Sequence, residues 1–219
     1  NNTLAIADGT GSASNYTLDG ASINVTVIPK TLNVTLAREY DGTTTVAGAL
    51  LTPTFDSLQG GETLAISGTG SVANANVGSS KAVTLGTIAL AAGSGNPSNY
   101  SLNSVLLDVT QRVINLDGIR AYDATTNVLS SDINTFGNIV SGETLTISGT
   151  GSVATNSVEM NKAISLGTLS LGNGSGAAGN YTLAGGTHTF DISPVAVNIT
   201  GSRQYDGTVS YTHLTLPTK

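Results

Sequence analysis

Arg-x-Tyr-Asp occurs three times, as Arg38-Glu39-Tyr40-Asp41, Arg120-Ala121-Tyr122-Asp123 and Arg203-Gln204-Tyr205-Asp206, at nearly equal intervals. A second marker keeps the same beat. Gly9-Thr10-Gly11 leads to Asn15-Tyr16-Thr17-Leu18, Gly93-Ser94-Gly95 to Asn99-Tyr100-Ser101-Leu102, and Gly174-Ser175-Gly176 to Asn180-Tyr181-Thr182-Leu183. Two independent markers in one register make the chain a tandem array. Repeated modules supply length or multivalent contact, whereas catalysis needs one asymmetric set of reactive groups.

The repeat divides the chain into a C-terminal part of a preceding unit (1–29), two complete units (30–111 and 112–194) and the start of another (195–209). Residues 210–219 break the pattern and read as a non-native tail, so His213 carries no functional weight. The beginning inside a unit predicts that the chain is a piece of something longer.

Each complete unit opens on a strand of period two. Leu32, Val34 and Leu36 share a face with Arg38 and Tyr40, and Ile114, Leu116, Gly118, Arg120 and Tyr122 repeat the pattern. Asp41-Gly42 then signals a tight turn; Ala124 in place of the glycine predicts that this turn does not need positive φ. Gly61 to Ala73 and its copy Gly142 to Ala154 read as turn, strand, glycine-marked bend and strand. No segment has a helical period. Several short strands in a module of this size predict an all-β fold of tandem small immunoglobulin-like β-sandwiches. A β-solenoid is the alternative, although its rungs recur about every 20–30 residues. Pro29 and Pro194 at short junctions predict a semi-rigid extended array.

Composition narrows the functional classes. A formal charge of −6 with eight scattered Lys and Arg argues against nucleic acid. Cysteine is absent, which excludes disulfides and thiolate metal sites. No apolar run is long enough for a spanning helix.

Candidate chemistry competes with structural roles at every motif. Arg38, Arg120 and Arg203 could form a cation–aromatic ledge for a sugar or peptide, or could cover Tyr40, Tyr122 and Tyr205 at the rim of each module. Asp41, Asp123 and Asp206 could hold calcium, yet they lack an Asp-x-Asp companion and turn capping accounts for them. Gly174 to Gly179 spells Gly-x-Gly-x-x-Gly, but a strand follows it, and it reads as a flexible turn rather than a dinucleotide site. Glu62 with Lys81, and Glu143 with Lys162, recur together; an isopeptide crosslink competes there with a surface ion pair or no contact at all, and the latter two are the preferred reading. His188 falls in an alternating strand and reads as a strand-surface residue. The repeat motifs are therefore assigned structural roles, with no catalytic residue, cofactor or metal.

Tyr40-Asp41-Gly42-Thr43-Thr44, its variant Tyr122-Asp123-Ala124-Thr125-Thr126, and the paired Gly-x-Gly and Asn-Tyr segments resemble the YDG repeat of filamentous haemagglutinin-like bacterial surface proteins. The resemblance runs from Lys30 to about Gly207. It implies a large exoprotein at the outer surface or outside the cell, with adhesion, biofilm or stalk roles. The expected function is a non-enzymatic stalk or adhesion segment, and a carbohydrate-binding array is the alternative. Expected partners are neighbouring repeats and a host or matrix glycan or protein.

Overall fold

The computed structural model describes residues 5–20, 22, 24–201 and 204. The chain forms two compact units, Asn1–Arg112 and Val113–Lys219. The first contains β1 (Lys30–Glu39), β2 (Thr45–Ala47), β3 (Thr54–Phe55), β4 (Leu64–Ser67), β5 (Thr69–Ser71), β6 (Gly78–Ala82), β7 (Ala89–Ala92) and β8 (Tyr100–Thr110). A short β9 (Arg112–Val113) spans the boundary. The second unit continues with β10 (Asn115–Ala121), β11 (Asn127–Leu129), β12 (Ile133–Gly137), β13 (Leu145–Ser148), β14 (Thr150–Ser152), β15 (Glu159–Ala163), β16 (Ser170–Asn173), β17 (Tyr181–Thr182) and β18 (His188–Ser193). Only 3-10 turns accompany them among the described residues, so the all-β prediction holds. Among the described residues neither a solenoid nor a closed barrel forms.

The two units repeat one topology. A four-stranded sheet has the order β3-β1-β8-β6 in the first and β12-β10-β18-β15 in the second. Separate antiparallel pairs, β2 with β5 and β4 with β7, recur as β11 with β14 and β13 with β16. At the centre of each main sheet, the first and last long strands run parallel: Lys30 lies opposite Tyr100 and Glu39 opposite Thr110, and Leu116 to Ala121 match His188 to Ser193. The chain therefore enters a unit at one end of its central strand pair and leaves at the other.

The period-two reading explains why this pair is central. Leu32, Val34 and Leu36 on β1 and Val105, Leu107 and Val109 on β8 are all buried on one face. Full burial of such a side chain stabilises by about 1.5–3 kcal/mol. The pair β4–β7 closes over that face, with Leu32, Leu64 and Tyr100 in one buried cluster and Phe55, Leu58 and Leu90 packed against it. The bend between β4 and β5 depends on Gly68, at φ +79°, where a Cβ would stand 2.0 Å from the Thr87 carbonyl oxygen. Gly149 repeats this at φ +92°, 2.1 Å from the Thr168 oxygen. These close approaches fix the glycines in the repeat.

Candidate functional site

The Arg-x-Tyr-Asp motif closes the first strand of each unit. Arg38 donates to the carbonyl oxygens of Thr43 and Thr45, and its guanidinium lies 3.1 Å from Asp41. Asp41 in turn accepts from the Thr43 amide and hydroxyl, both at 2.9 Å. Arg120 does the same with the carbonyls of Thr125 and Asn127 and with Asp123 at 3.1 Å. Both arginine side chains are only 10% exposed. The planar fork of each guanidinium meets two carbonyls of the turn and a carboxylate beside them. Arg120 Cζ lies 5.5 Å from the centroid of the Phe190 ring. Tyr40 is buried at 4% exposure, whereas Tyr122 is 41% exposed. Backbone bonds from Tyr40 to Thr110 and from Tyr122 to Ser193 tie both motifs to the last strand. Arg203, Tyr205 and Asp206 lie outside the described residues.

The turn prediction at Ala124 fails. Ala124 has φ +66° and Gly42 φ +76°, so both turns adopt the left-handed conformation. The aspartate and arginine bonds on either side dictate that geometry, and the alanine accepts a local cost of about 1–2 kcal/mol. The Thr125 amide bonded to Asp123 holds that carboxyl below the usual carboxylate range.

The second marker forms a separate device. Tyr100 donates its hydroxyl to Glu62 and accepts from the Gln59 amide at 3.2 Å. Tyr181 donates to Glu143 at 2.7 Å and accepts from the Val140 amide at 3.3 Å. Both tyrosines are buried. The hydrogen bond to Glu62, with burial adding to it, raises the Tyr100 phenol above its usual range. Behind each carboxylate sits the Gly-x-Gly turn. A Cβ on Gly95 would lie 2.9 Å from a Glu62 oxygen and one on Gly176 2.3 Å from a Glu143 oxygen, while a Cβ on Gly93 or Gly174 would lie 2.3 or 2.4 Å from the Thr63 or Thr144 carbonyl oxygen. Ser94 and Thr63 exchange amide-to-hydroxyl bonds at 2.9 and 3.0 Å, and Ser175 and Thr144 repeat them at 2.8 and 3.0 Å. These glycines serve close packing, which corrects the flexible-turn reading of Gly174 to Gly179.

The asparagines set up the tyrosines. Asn99 and Asn180 each end a 3-10 turn, Pro97–Asn99 and Ala178–Asn180, that delivers the following tyrosine inward. Asn15 and Tyr16 keep the turn Ala13–Asn15, but Tyr16 stands 67% exposed. The sequence signal for this device was the joint recurrence of a Gly-Glu-Thr and an Asn-Tyr segment, each with a polar group needing a buried partner.

The glutamate therefore does not meet the lysine. Lys81 donates to Asn74 Oδ1 at 2.9 Å and to the Asn76 carbonyl, and Lys162 to Thr155, Ser157 and Glu159 at 2.8, 3.2 and 2.8 Å. The lysines thus bond to groups other than the recurring glutamates, while Glu62 and Glu143 accept from tyrosines. Burial, with Arg38 nearby, lowers the Lys81 amine below the ordinary lysine range.

His188 is not on the strand surface. It is half-buried; Nδ1 accepts from the Leu116 amide at 3.1 Å and Nε2 faces the Leu183 carbonyl at 2.9 Å. An imidazole with Nε2–H satisfies both, so the ring splices two backbone segments. Among the described residues no three His, Cys, Asp or Glu side chains form a group able to hold a metal, and no helix is long and apolar enough to cross a membrane. The bonds of Arg38, Arg120, Tyr100 and Tyr181 named above all stay inside their own unit, while the Nε atoms of Arg38 and Arg120 are buried without a hydrogen-bond partner.

No curated protein and no solved structure matches the chain. The YDG domain model matches it twice, over residues 26–106 and 110–189, which is most of its length. Two tandem units of one topology, each closed by the same turn and the same tyrosine device, agree with that match, and the chain belongs to the YDG domain family.

Proposed function

We propose that the two YDG modules are non-enzymatic spacers in a large bacterial surface or secreted protein of the filamentous haemagglutinin-like kind, acting outside the cell in adhesion. Each module is read as an immunoglobulin-like sandwich whose task is to advance the chain. The parallel pairing of first and last strands supports this reading most. Entry at Lys30 and exit at Thr110 are separated by the length of β1, which is about 30 Å at ~3.3 Å per residue. A module joined by its two ends adds its length to the array instead of folding the chain back. The hydrogen bonds that hold Arg38, Tyr100 and Tyr181 inside their modules agree with a scaffold role.

Small-angle scattering on chains of two and four such modules tests the proposal. The maximum dimension is expected to grow in proportion to module number. A four-module chain that scatters as a compact particle would overturn the spacer reading.

A further inference from the structure

The Gly-x-Gly turn has the same backbone anchor in both units, where Gly95 and Gly176 donate to the Thr63 and Thr144 carbonyls at 3.0 Å, but it is capped differently. In the first unit Asn96 precedes the 3-10 turn Pro97–Asn99, and its side chain accepts from the Ser98 amide at 3.1 Å. The second unit has Ala177 in that place, with no side-chain cap. Asn173 reaches across the turn instead, and its Oδ1 accepts from the Ala178 amide at 2.8 Å. Asn173 is exposed at the end of β16, where the first unit has Ala92. It also forms, with Gly174, the only Asn-Gly step in the sequence. Packing keeps that glycine in place, because a Cβ there would stand 2.4 Å from the Thr144 carbonyl oxygen.

From this juxtaposition we infer that Asn173 is a self-modification site, which the folded second module converts to aspartate and isoaspartate. The Gly174 nitrogen, deprotonated by solvent base, attacks Asn173 Cγ; that N–C bond forms, the Cγ–Nδ2 bond breaks and ammonia leaves. Water then opens the succinimide at either of its carbonyls. Negative charge collects on Oδ1 during the attack, and the Ala178 N–H already points at that atom, as an oxyanion donor does. Gly174 brings no side chain to hinder the approach. Its amide bond to the Gly176 carbonyl, at 3.1 Å, closes a short loop on an exposed turn and lies outside the β13–β16 ladder. Asn103 and Asn156, each followed by serine, have their carboxamides held at 2.9 Å through Nδ2, the leaving group. Aspartate at this place keeps the bond to Ala178, whereas isoaspartate lengthens the backbone beside the turn that backs Glu143. The inference is independent of the spacer reading, because the reaction needs only one folded turn.

Timed incubation of the full chain at mildly alkaline pH, with peptide mapping that separates aspartate from isoaspartate, tests the inference. Asn173 is expected to convert ahead of Asn103 and Asn156. Ala178→Pro installs the residue that the first unit carries as Pro97, which lacks the N–H donor, after a residue that is extended in both units. It should slow conversion in the folded chain by about fivefold, the size of one hydrogen bond made in a transition state, and leave the rate in urea unchanged. In the first unit, Ala92→Asn places the same Asn-Gly step opposite Pro97 and should convert slowly, while Ala92→Asn/Pro97→Ala should recover the faster rate. Folded chain that keeps Asn173 intact while the denatured chain converts it would overturn the inference. So would an Ala178→Pro rate equal to or above that of the unaltered chain, since the bond would then restrain the carboxamide instead of activating it.

Discussion

Opposite each other on the central strand pair, the first unit places Leu36 and Leu107 and the second places Gly118 and Phe190. Leu36, Leu107 and Phe190 are all fully buried. One unit divides the volume between two medium side chains, the other gives nearly all of it to one ring. A Cβ on Gly118 would stand 3.0 Å from Phe190 and 2.7 Å from the Asp132 carbonyl oxygen, so the glycine is what admits the phenylalanine. The lesson is that the repeat preserves a filled space and leaves the individual residue free. The exchange also changes the chemistry of the rim, because the larger ring reaches under Arg120.

The comparison breaks most severely at Phe190. Phe190→Ala should destabilise the second unit by about 3–5 kcal/mol, read as a lower denaturation midpoint for that unit, with the first unit's amide exchange unchanged. Gly118→Leu alone should cost about 1–3 kcal/mol through overpacking. Adding Phe190→Leu should recover part of the loss, and a double-mutant cycle with no coupling between the two would refute the paired-volume account.

The tyrosine device should be equally sensitive in both units. Glu62→Ala and Glu143→Ala each leave a buried phenol without its acceptor, at a cost of about 1–3 kcal/mol. Ultraviolet titration gives a sharper check in the first unit: Glu62→Gln should move the Tyr100 phenol down toward its ordinary range. An unmoved titration would show that the carboxylate is not the cause.

At the turn, the difference between Gly42 and Ala124 predicts a gain. Ala124→Gly should stabilise the second unit by about 0.5–1 kcal/mol, the relief of left-handed strain less the added freedom of the unfolded glycine. Gly42→Ala should cost a similar amount in the first. The folded Asp123 carboxyl titrates below its unfolded value, so its contribution is present above the unfolded value and is lost as pH falls through the folded one. Asp123→Asn should flatten the acid side of the stability profile; an unchanged profile would remove the turn from the account.

The smallest effect is expected at the lysines. Lys162 has Glu159 at 2.8 Å, and Gly78 occupies the equivalent place beside Lys81. Gly78 has room for a Cβ, whose nearest neighbour would be the Lys81 chain at 3.6 Å. Gly78→Glu should add an ion pair contributing about 0–1 kcal/mol and weakening with salt. Melting curves at low and high ionic strength would show it.

Much of this was legible in the residues themselves. Alternation from Leu32 to Tyr40 identified the inward face, and the recurring markers identified the repeating unit, because both are local and periodic. Long-range partners were not legible. Nothing adjacent to Glu62 says that its acceptor role is for a phenol 38 positions later, and its recurrence with Lys81 does not name that partner. Ala124 misled because residue type speaks for intrinsic preference, while Arg120 and Asp123 impose the turn from outside it. His188 misled for the opposite reason: its strand position was right, but a ring that accepts one backbone amide and donates to another carbonyl draws itself inward.

The parallel run of β1 beside β8 also decides how a module meets tension. Pulling on Lys30 and Thr110 drags the two central strands lengthwise past one another, so the ladder bonds share the load and must fail together. Had the same strands been antiparallel neighbours with both ends on one side, the bonds would have opened singly, like a zip. A YDG module is in this respect wired as a shear joint.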